Sequence, residues 1–376
     1  MEVLYGYGIS STLYLQMHYG HAQSWFTFVS TMADLRTTFL YFFPIWFHLQ
    51  SAVGVKLVWV AVVGDCQIEW INNRIITNLN IECLMEMLMF GERPYWWVKE
   101  TVYYGNLTVP QIKQFPMTCE TGPGSPSGHA MGAAGVYYAM VTSLLTILQE
   151  CDPLKRWCLQ GLLWALFWGV QVCVSVSRVF IAAHFPHQVI AGVVSGQLHC
   201  IVSWIYSASL KSYVHTILCL VFIALGLYAL LDAASIDPYW SLMKAQKWCI
   251  QPEWVHLDTT PFAGLLRNTG ALFGLGLSLH LPIHGDLQKN RNCGNSAIYR
   301  LTCTAATLPL LSLLDSFRPP TSTRALFCAL SFCKSATVPL TTIRFVPYCI
   351  TKNTLYGLKF SFMPKIIRIL SKDHVL

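Results

Sequence analysis

The chain has 376 residues, of which 54% are hydrophobic and only 11% are charged, with a formal net charge of +7. A soluble surface normally requires a charged fraction of roughly a quarter, so this composition excludes an ordinary soluble globular protein. The basic residues are scattered and form no basic face, which argues against nucleic acid as a partner. The sequence therefore predicts an integral membrane protein in contact with membrane lipid.

Apolar blocks that are close to the length of a bilayer crossing recur along the chain. They predict an all-α, polytopic membrane helical bundle with about nine transmembrane helices. The blocks are 26–47, 52–90, 129–149, 158–176, 180–207, 214–232, 262–281, 299–315 and 325–350. We expect residues 1–350 to form a single membrane domain and residues 351–376 to form a basic tail.

Basic residues fall after every second block from the third onward. The first of them after the third, fifth, seventh and ninth blocks are Lys155, Lys211, Lys289 and Lys352. Because Lys and Arg collect in cytoplasmic loops, this pattern predicts a cytosolic C-terminus and a lumenal or exterior N-terminus. An N-glycosylation sequon at Asn106 lies on the side assigned as lumenal, which agrees with this orientation.

The 14 cysteines form no CxxC pair and have no regular spacing. Most of them lie in apolar blocks, where cysteine behaves as a small hydrophobic residue, so a disulfide framework is not expected. Cys119 and Cys249 lie outside the blocks, and a bridge between these two is left open.

Three polar clusters lie at block ends on the side opposite the basic loops. They are Arg93-Pro94, the run Gly122–His129, and Ser177-Arg178 followed by His184 and His187. Singly, each is explained by a membrane anchor, a capping turn or an interfacial histidine. Together, at one membrane face, they predict a shared site.

These side chains suit phosphoryl transfer. A phosphate monoester is a dianion, and Arg93 and Arg178 offer charged forks for its oxygens. Gly128 lets backbone approach a phosphate at a helix N-terminus, and Ser127 adds a hydroxyl donor. A histidine can attack phosphorus or protonate the leaving oxygen, because imidazole titrates near neutral pH. The sequence shows no carboxylate cluster for a metal, so no metal or cofactor is expected.

The pattern resembles the type-2 phosphatidic acid phosphatase superfamily, whose signature is K-x6-R-P, then P-S-G-H, then S-R-x5-H-x3-D. The second part matches at Pro126–His129, and the third matches at Ser177, Arg178 and His184. Longer segments around these motifs look like the glucose-6-phosphatase branch of the superfamily. These segments are Arg93–Trp97, Cys119–Met131, Ala182–Val189 and Trp254–Phe262.

The resemblance implies a phosphatase core of this type, with nine spans in the endoplasmic reticulum membrane and a lumenal site. It implies hydrolysis of glucose 6-phosphate to glucose and phosphate, in gluconeogenesis and glycogenolysis, with functional coupling to a glucose-6-phosphate transporter. Carried over by position, His184 is the nucleophile that forms a phosphohistidine, and His129 is the general acid. The phosphate-binding residues are Arg93, Arg178, Ser127 and Gly128.

The sequence departs from the family pattern in three places. The superfamily's Lys, seven residues before Arg93, is Glu86 here, and a carboxylate there would repel phosphate. From Asp65 to Arg93 the chain is longer than the family pattern by about four helical turns, and the inserted part, 66–86, is rich in polar residues that are costly in hydrocarbon; a splice variant or gene-model error would explain it. Residues 351–376 lack the family's dilysine retrieval signal. Gln188 replaces the superfamily's Asp, as it does throughout the glucose-6-phosphatase branch.

Other functions remain open from the sequence alone. A catalytically impaired isoform or homologue would follow from Glu86 and the insert. A lipid phosphate phosphatase would use the same histidines in a site open to the bilayer. A transporter fits the composition, but no inverted repeat is visible, and the histidines and arginines would be unexplained.

Two further groups of residues carry weaker expectations. Tyr95, Trp96 and Trp97 are expected to form an interfacial aromatic belt, which is where such residues collect in membrane proteins. His256 and Asp258 precede the seventh block on the lumenal side and are weak candidates for contacts with a sugar.

Overall fold

A computed structural model of the chain describes residues 1–74, 91–150, 152–202, 209–233, 235, 237, 239–281, 297–320 and 323–352. These residues form helices joined by loops, and this described part of the chain contains no β-strand. The all-α prediction is therefore confirmed. Glu86, part of the insert and nearly all of the 351–376 tail lie outside the described residues.

Fourteen α-helices can be followed in the described residues. In chain order they are α1 (Glu2–His18), α2 (Gln23–Met32), α3 (Leu35–Thr37), α4 (Phe43–Leu49), α5 (Ser51–Arg74), α6 (Pro94–Glu100), α7 (Gly128–Ile147), α8 (Pro153–Phe180), α9 (Pro186–Val202), α10 (Leu210–Ala233), α11 (Trp240–Trp248), α12 (Pro261–His280), α13 (Ala297–Ser316) and α14 (Arg324–Leu340). A π-helical turn, Thr38–Phe42, joins α3 to α4, and another, Thr341–Phe345, extends α14.

Five helical segments in the described residues are long and apolar enough to cross a membrane. They are Gly128–Ile147, Pro153–Phe180, Leu210–Ala233, Ala297–Ser316 and Leu326–Lys352. They coincide with the third, fourth, sixth, eighth and ninth apolar blocks. The membrane character of the chain is therefore confirmed, and five of the nine predicted spans are found among the described residues.

The first apolar block, 26–47, is not one continuous helix. It breaks between α2 and α3 at Asp34, whose carboxylate accepts a hydrogen bond of 2.9 Å from the backbone N–H of Arg36. This is an N-cap, which satisfies an amide that a helix start leaves unpaired. Block averages of hydropathy do not detect such a break.

The fifth block was predicted to span 180–207, but its helix begins later than predicted. Residues 181–185 form a loop, and α9 starts only at Pro186. Proline favours the first turn of a helix, because its missing N–H would be unpaired there anyway. The loop that this start creates carries His184.

Glycines four residues apart let the central helices pack closely. A Cβ atom at Gly192 or Gly196 of α9 would collide with the backbone of α7, and one at Gly270 or Gly274 of α12 would collide with the backbone of α14. Such small-residue pairs are typical of membrane helix interfaces, because they allow backbones to approach. The α7–α9 contact holds the start of α7 beside the start of α9.

Tyr95, Trp96 and Trp97 do not form an interfacial belt, so that prediction was wrong. Their exposed fractions are 1%, 0% and 6%, and they belong to a buried cluster with Tyr5 and Phe185. The cluster lies between α1, α6 and the loop before α9. Aromatic side chains serve both interfaces and cores, and composition alone does not separate the two.

Helix α1, which lies outside the predicted blocks, supports the end of α8. The buried Gln16 amide nitrogen donates to the carbonyl of Phe180 at 2.8 Å and to that of Lys113 at 3.0 Å. Its amide oxygen accepts from the backbone N–H of Lys113 at 3.0 Å. One side chain thus joins α1, the loop before α7 and the last turn of α8.

A disulfide joins Cys119, in the loop before α7, to Cys249, just after α11. The sequence left undecided whether these two cysteines pair, and the structure contains the bridge. The two residues are 130 positions apart in sequence. The other cysteines whose state is described are free, as expected for residues within apolar helices.

We predict that Cys249→Ser lowers the stability of the fold. Breaking the Cys119–Cys249 disulfide, which closes a long loop, increases the conformational entropy of the unfolded chain. This should lower the free energy of unfolding by about 2–4 kcal/mol. Thermal unfolding of the purified protein in detergent measures the effect. Cys333→Ser removes an exposed free thiol and should leave the unfolding temperature unchanged. Equal unfolding temperatures for Cys249→Ser and the wild type would contradict the prediction.

Candidate active site

Side chains from helix ends and loops converge at one end of the bundle. Arg93 immediately precedes α6, His129 lies in the first turn of α7, Arg178 lies in the last turn of α8, and His184 lies in the loop before α9. Each of the four lies within 3.6 Å of the Glu120 carboxylate. The structure thus brings together the residues that the three motifs supply.

The Glu120 carboxylate lies at the centre of this cluster. Its Oε2 is 2.9 Å from Arg93 Nη1 and 3.6 Å from His184 Nε2. Its Oε1 forms an ion pair with Arg178 Nη2 and lies 3.6 Å from His129 Nδ1. Both oxygens therefore face one arginine and one histidine.

The sequence reasoning did not identify Glu120. It is the only acidic residue between α6 and α7. Two arginines that are buried together need a counter-charge, because an unpaired buried ion is costly. The need for that counter-charge is the signal that points to Glu120, the acidic residue in the neighbouring loop.

Arg93, with an exposed fraction of 3%, is held on three sides by backbone carbonyls. Its Nε donates to the carbonyl of Gly122 at 2.7 Å, and its Nη2 donates to that of Pro123 at 3.2 Å. Its Nη1 donates to the carbonyl of Ala183 at 3.2 Å. These bonds fix the guanidinium plane against the glycine-rich loop and the loop that carries His184.

Arg178 is fully buried, and both its side chain and its backbone organise the site. Its Nη1 donates to Ser30 Oγ at 2.7 Å, while its Nε has no hydrogen-bond partner in the described part of the chain. Its carbonyl accepts from the N–H groups of Ala183 at 3.2 Å and of His184 at 3.4 Å. Ala182, which lies between Arg178 and Ala183 in the sequence, has φ 61°, a left-handed conformation that turns the chain at the end of α8.

His184 is buried and has a defined tautomer. Its Nδ1 is 2.7 Å from the carbonyl of Gly124, and because a carbonyl only accepts, Nδ1 carries the proton. Burial, together with the nearby charge of Arg93, lowers the pKa of His184 to about 3. At neutral pH the imidazole is therefore uncharged, and its Nε2 lone pair faces Arg93 and Glu120.

Ser127 and His129 begin α7 and carry unused hydrogen-bonding atoms. Ser127 stands at the N-cap position, but its side chain makes no capping bond, and its backbone N–H donates to the carbonyl of Gln188 at 3.0 Å. Within the described residues, neither Ser127 Oγ nor His129 Nε2 has a hydrogen-bond partner. Buried polar atoms are normally paired, so these atoms fit an oxygen-rich anion at the start of the helix, next to Gly128.

Gln188 connects two of the loops around the site. Its Oε1 accepts from the backbone N–H of Phe185 at 3.0 Å, and its Nε2 donates to the carbonyl of Glu92 at 2.7 Å. The side chain thus links the residue before Arg93 to the residue after His184. An amide does both, whereas an ionised Asp could only accept.

The charges around Glu120 decide its ionisation. Burial alone would raise its pKa, but the positive charge of Arg178 and its neighbours outweighs burial and holds the pKa well below its ordinary value. Glu120 is therefore a carboxylate at neutral pH. It balances one of the two guanidinium charges beside it.

Two residues from the sequence motifs lie outside this cluster. His187 packs against Phe185 and Tyr5, and Ser177 Oγ donates to the carbonyl of Val174 at 2.7 Å.

The sequon and the weak sugar candidates lie on the surface. Asn106, His256 and Asp258 are all exposed. Asp258 borders a cavity that Arg36 and Asp315 also line. Among the contacts of the described residues, none joins His256 or Asp258 to the two arginines and two histidines.

The chemistry available here is the transfer of an anionic group. Two guanidinium groups neutralise an anion, one neutral imidazole presents a lone pair, and a second imidazole lies across the same carboxylate. Nucleophilic attack and proton transfer both need groups positioned around one reacting centre, and the two histidines lie on either side of one carboxylate, each 3.6 Å from one of its oxygens.

Comparison with known proteins gives a consistent result. The family model of the PAP2 superfamily matches residues 73–212. The chain is 51% identical over 358 residues to glucose-6-phosphatase catalytic subunit 1 of Canis lupus familiaris, covering 94% of this chain and 96% of that protein. It is 50% identical over 358 residues to the Felis catus protein of the same name, with the same coverage.

A second named group is also similar. The chain is 41% identical over 360 residues to glucose-6-phosphatase 2 of Mus musculus, covering 93% of this chain and 97% of that protein. No solved structure matches the chain. At these identities, over nearly the whole length of both chains, the protein belongs to the glucose-6-phosphatase catalytic subunit family, within the PAP2 superfamily.

Proposed function

We propose that this protein hydrolyses glucose 6-phosphate to glucose and phosphate through a phosphohistidine on His184, in gluconeogenesis and glycogenolysis. The observation that carries the proposal is the convergence of two arginines and two histidines on one anion, the Glu120 carboxylate. The substrate follows from the family, whose curated members are named glucose-6-phosphatases.

The phosphate is bound by Arg93, Arg178, Ser127 and Gly128. The guanidinium groups take the charge that spreads over the equatorial oxygens in the transition state. The unpaired Ser127 hydroxyl and Arg178 Nε supply further donors. The start of α7 adds backbone dipoles that favour an anion.

In the first step, His184 Nε2 attacks phosphorus while His129 is in its imidazolium form. The N–P bond forms as the bond from phosphorus to the sugar oxygen breaks, and the imidazolium of His129 gives one proton to that oxygen and becomes neutral, so glucose leaves. The carbonyl of Gly124 holds the proton on Nδ1 of His184 and stabilises the positive charge that develops on the ring. This contact orients the nucleophile throughout the step.

In the second step, water attacks the phosphohistidine. His129 now accepts a proton from the water, the new P–O bond forms, and the N–P bond breaks with its electron pair returning to His184. Phosphate leaves, and both histidines regain their starting protonation. The same group acts as acid and then as base, as microscopic reversibility requires.

We place the protein in the endoplasmic reticulum membrane, with nine spans, a lumenal active site, a lumenal N-terminus and a cytosolic C-terminus. The alternation of basic loops supports this orientation. The Cys119–Cys249 disulfide lies on the side of the site, and disulfides persist in an oxidising lumen. A lumenal site needs its substrate delivered, so we propose functional coupling to a glucose-6-phosphate transporter.

We predict that His184→Ala lowers glucose-6-phosphate hydrolysis by at least about a thousandfold, because it removes the nucleophile. The measurement is phosphate release from membranes that express the full chain. His187→Ala is the matched control, since this neighbouring histidine lies outside the cluster, and it should retain activity. Equal activity in His184→Ala and the wild type would refute the covalent mechanism.

The same assay tests the alternatives. Glu86→Lys restores the residue that the superfamily pattern has at this position. If the wild type is inactive and Glu86→Lys is active, the chain is an impaired form of the enzyme. Hydrolysis of phosphatidic acid in preference to glucose 6-phosphate would instead favour a lipid phosphate phosphatase.

We predict that Gly124→Ala lowers activity by about a hundredfold while Gly122→Ala leaves it unchanged. A Cβ atom at Gly124 would lie 2.8 Å from the carbonyl oxygen of Gly91 and 2.9 Å from Gln188 Nε2, whereas the nearest atom at Gly122 is 3.8 Å away. Displacing the Gly124 carbonyl moves His184, and a shift of about 1 Å can cost about a hundredfold in rate. Comparable phosphate release from the two variants would show that this loop does not set the geometry.

We predict one N-linked glycan, at Asn106, if this loop is lumenal. Digestion with endoglycosidase H should increase the gel mobility of the wild-type protein and leave that of Asn106→Gln unchanged. Thr108→Ala keeps the asparagine but breaks the sequon, so it should behave like Asn106→Gln. A wild-type protein that is insensitive to the enzyme would count against the lumenal orientation.

A further inference from the structure

Glu120 occupies the place that the proposed mechanism needs for the substrate. An attacking nitrogen must approach phosphorus to about 3–3.5 Å. Glu120 Oε2 lies 3.6 Å from His184 Nε2, close to that distance, and is also 2.9 Å from Arg93 Nη1. A phosphate oxygen bound to Arg93 would therefore overlap this carboxylate oxygen.

The second carboxylate oxygen blocks the other half of the site. Glu120 Oε1 pairs with Arg178 Nη2 and lies 3.6 Å from His129 Nδ1. The leaving oxygen has to lie between the phosphorus and His129, and an equatorial oxygen has to reach Arg178. The carboxylate and a bound phosphate cannot be present together.

We propose that the Glu120 side chain is an internal competitor, which fills the phosphate site of the empty enzyme and is displaced by each phosphate ligand. This inference rests on the proposed function. It assigns to Glu120 control over the affinity for substrate and for product phosphate, separate from the bond-making steps of the two histidines.

The surroundings allow the side chain to move while its backbone stays fixed. The backbone carbonyl of Glu120 accepts from the Tyr95 hydroxyl at 3.2 Å, and the adjacent Cys119 is in a disulfide. The side chain itself is 16% exposed, against 0% for Arg178 and 2% for His184. Rotation about its own bonds therefore carries the carboxylate toward solvent without moving the groups that it releases.

Exchange of the Glu120 carboxylate for phosphate is favourable because phosphate carries more negative charge. Two arginines face one carboxylate in the empty site, whereas a phosphate group at pH 7 has a charge of about −1.5 to −2. Phosphate thus neutralises both guanidinium groups, and Glu120 neutralises only one. After hydrolysis, the carboxylate returns to the arginines and helps to expel the product.

A charge-only substitution tests this role. Glu120→Gln keeps the side-chain shape but weakens its hold on the arginines, so it should bind inorganic phosphate about tenfold more tightly than the wild type. Glu120→Asp keeps the charge on a shorter side chain, so its affinity for phosphate should lie between those of the wild type and Glu120→Gln. Glu253→Gln, the same substitution at an exposed carboxylate, should match the wild type.

The measurement is calorimetric titration of inorganic phosphate into the full-length protein in detergent, with KM and kcat for glucose 6-phosphate measured beside it. Displacement predicts that Glu120→Gln lowers KM and lowers kcat, because product release slows. A Glu120→Gln protein that keeps its disulfide but binds phosphate equally or more weakly would overturn the proposal, since Glu120 would then only organise the arginines.

A folding defect in Glu120→Gln also gives an answer. The variant leaves two buried arginines without a counter-charge, so phosphate in the buffer should restore its yield and raise its unfolding temperature more than it does for the wild type. No rescue by phosphate, together with weaker binding by Glu120→Asp, would overturn the proposal. A wild type that binds no phosphate would instead overturn the proposed function, because the phosphate site itself would be absent.

Discussion

The fold brings two fully desolvated guanidinium groups together, and this requirement governs the arrangement around them. Like charges in a low-dielectric interior repel, and each also loses its hydration. In the empty protein, the Glu120 carboxylate between Arg93 and Arg178 offsets this cost. Backbone carbonyls around Arg93 accept further hydrogen bonds from its guanidinium group. An enzyme that binds a dianion must keep such a pair ready, so a removable counter-charge reconciles stability with binding.

Contacts of several kinds hold this cluster in place. Gln16 of α1 ties the end of α8 to the loop before α7, and the Cys119–Cys249 bridge anchors the residue next to Glu120. The glycine contacts between α7 and α9 bring His129 and His184 to the same end of the bundle. Packing, a covalent link and buried amide bonds thus fix the positions that the chemistry depends on.

The sequence predicted which side chains come together better than it predicted their surroundings. His129, Arg178 and His184 were predicted to share a site because their motifs fall at one membrane face, and the structure brings them together around Glu120. Glu120 was missed, because a single acid in a loop has no local pattern, and only its contacts with distant segments reveal it. Trp96 was misplaced, since hydropathy does not tell an interface from a core. The start of α9 was misplaced because a block average of hydropathy does not register the local preference of Pro186 for the first turn of a helix.

The left-handed turn at Ala182 has a consequence for how the chain can vary in evolution. Five residues separate Arg178 from His184, and they include the turn in which the amides of Ala183 and His184 close on the Arg178 carbonyl. A one-residue insertion or deletion would break this closure and turn the imidazole away from the arginines. A β-branched side chain at position 182 would clash with its own backbone, whereas glycine or asparagine would fit. The geometry therefore constrains the length of the segment as strictly as the identity of Arg178 and His184.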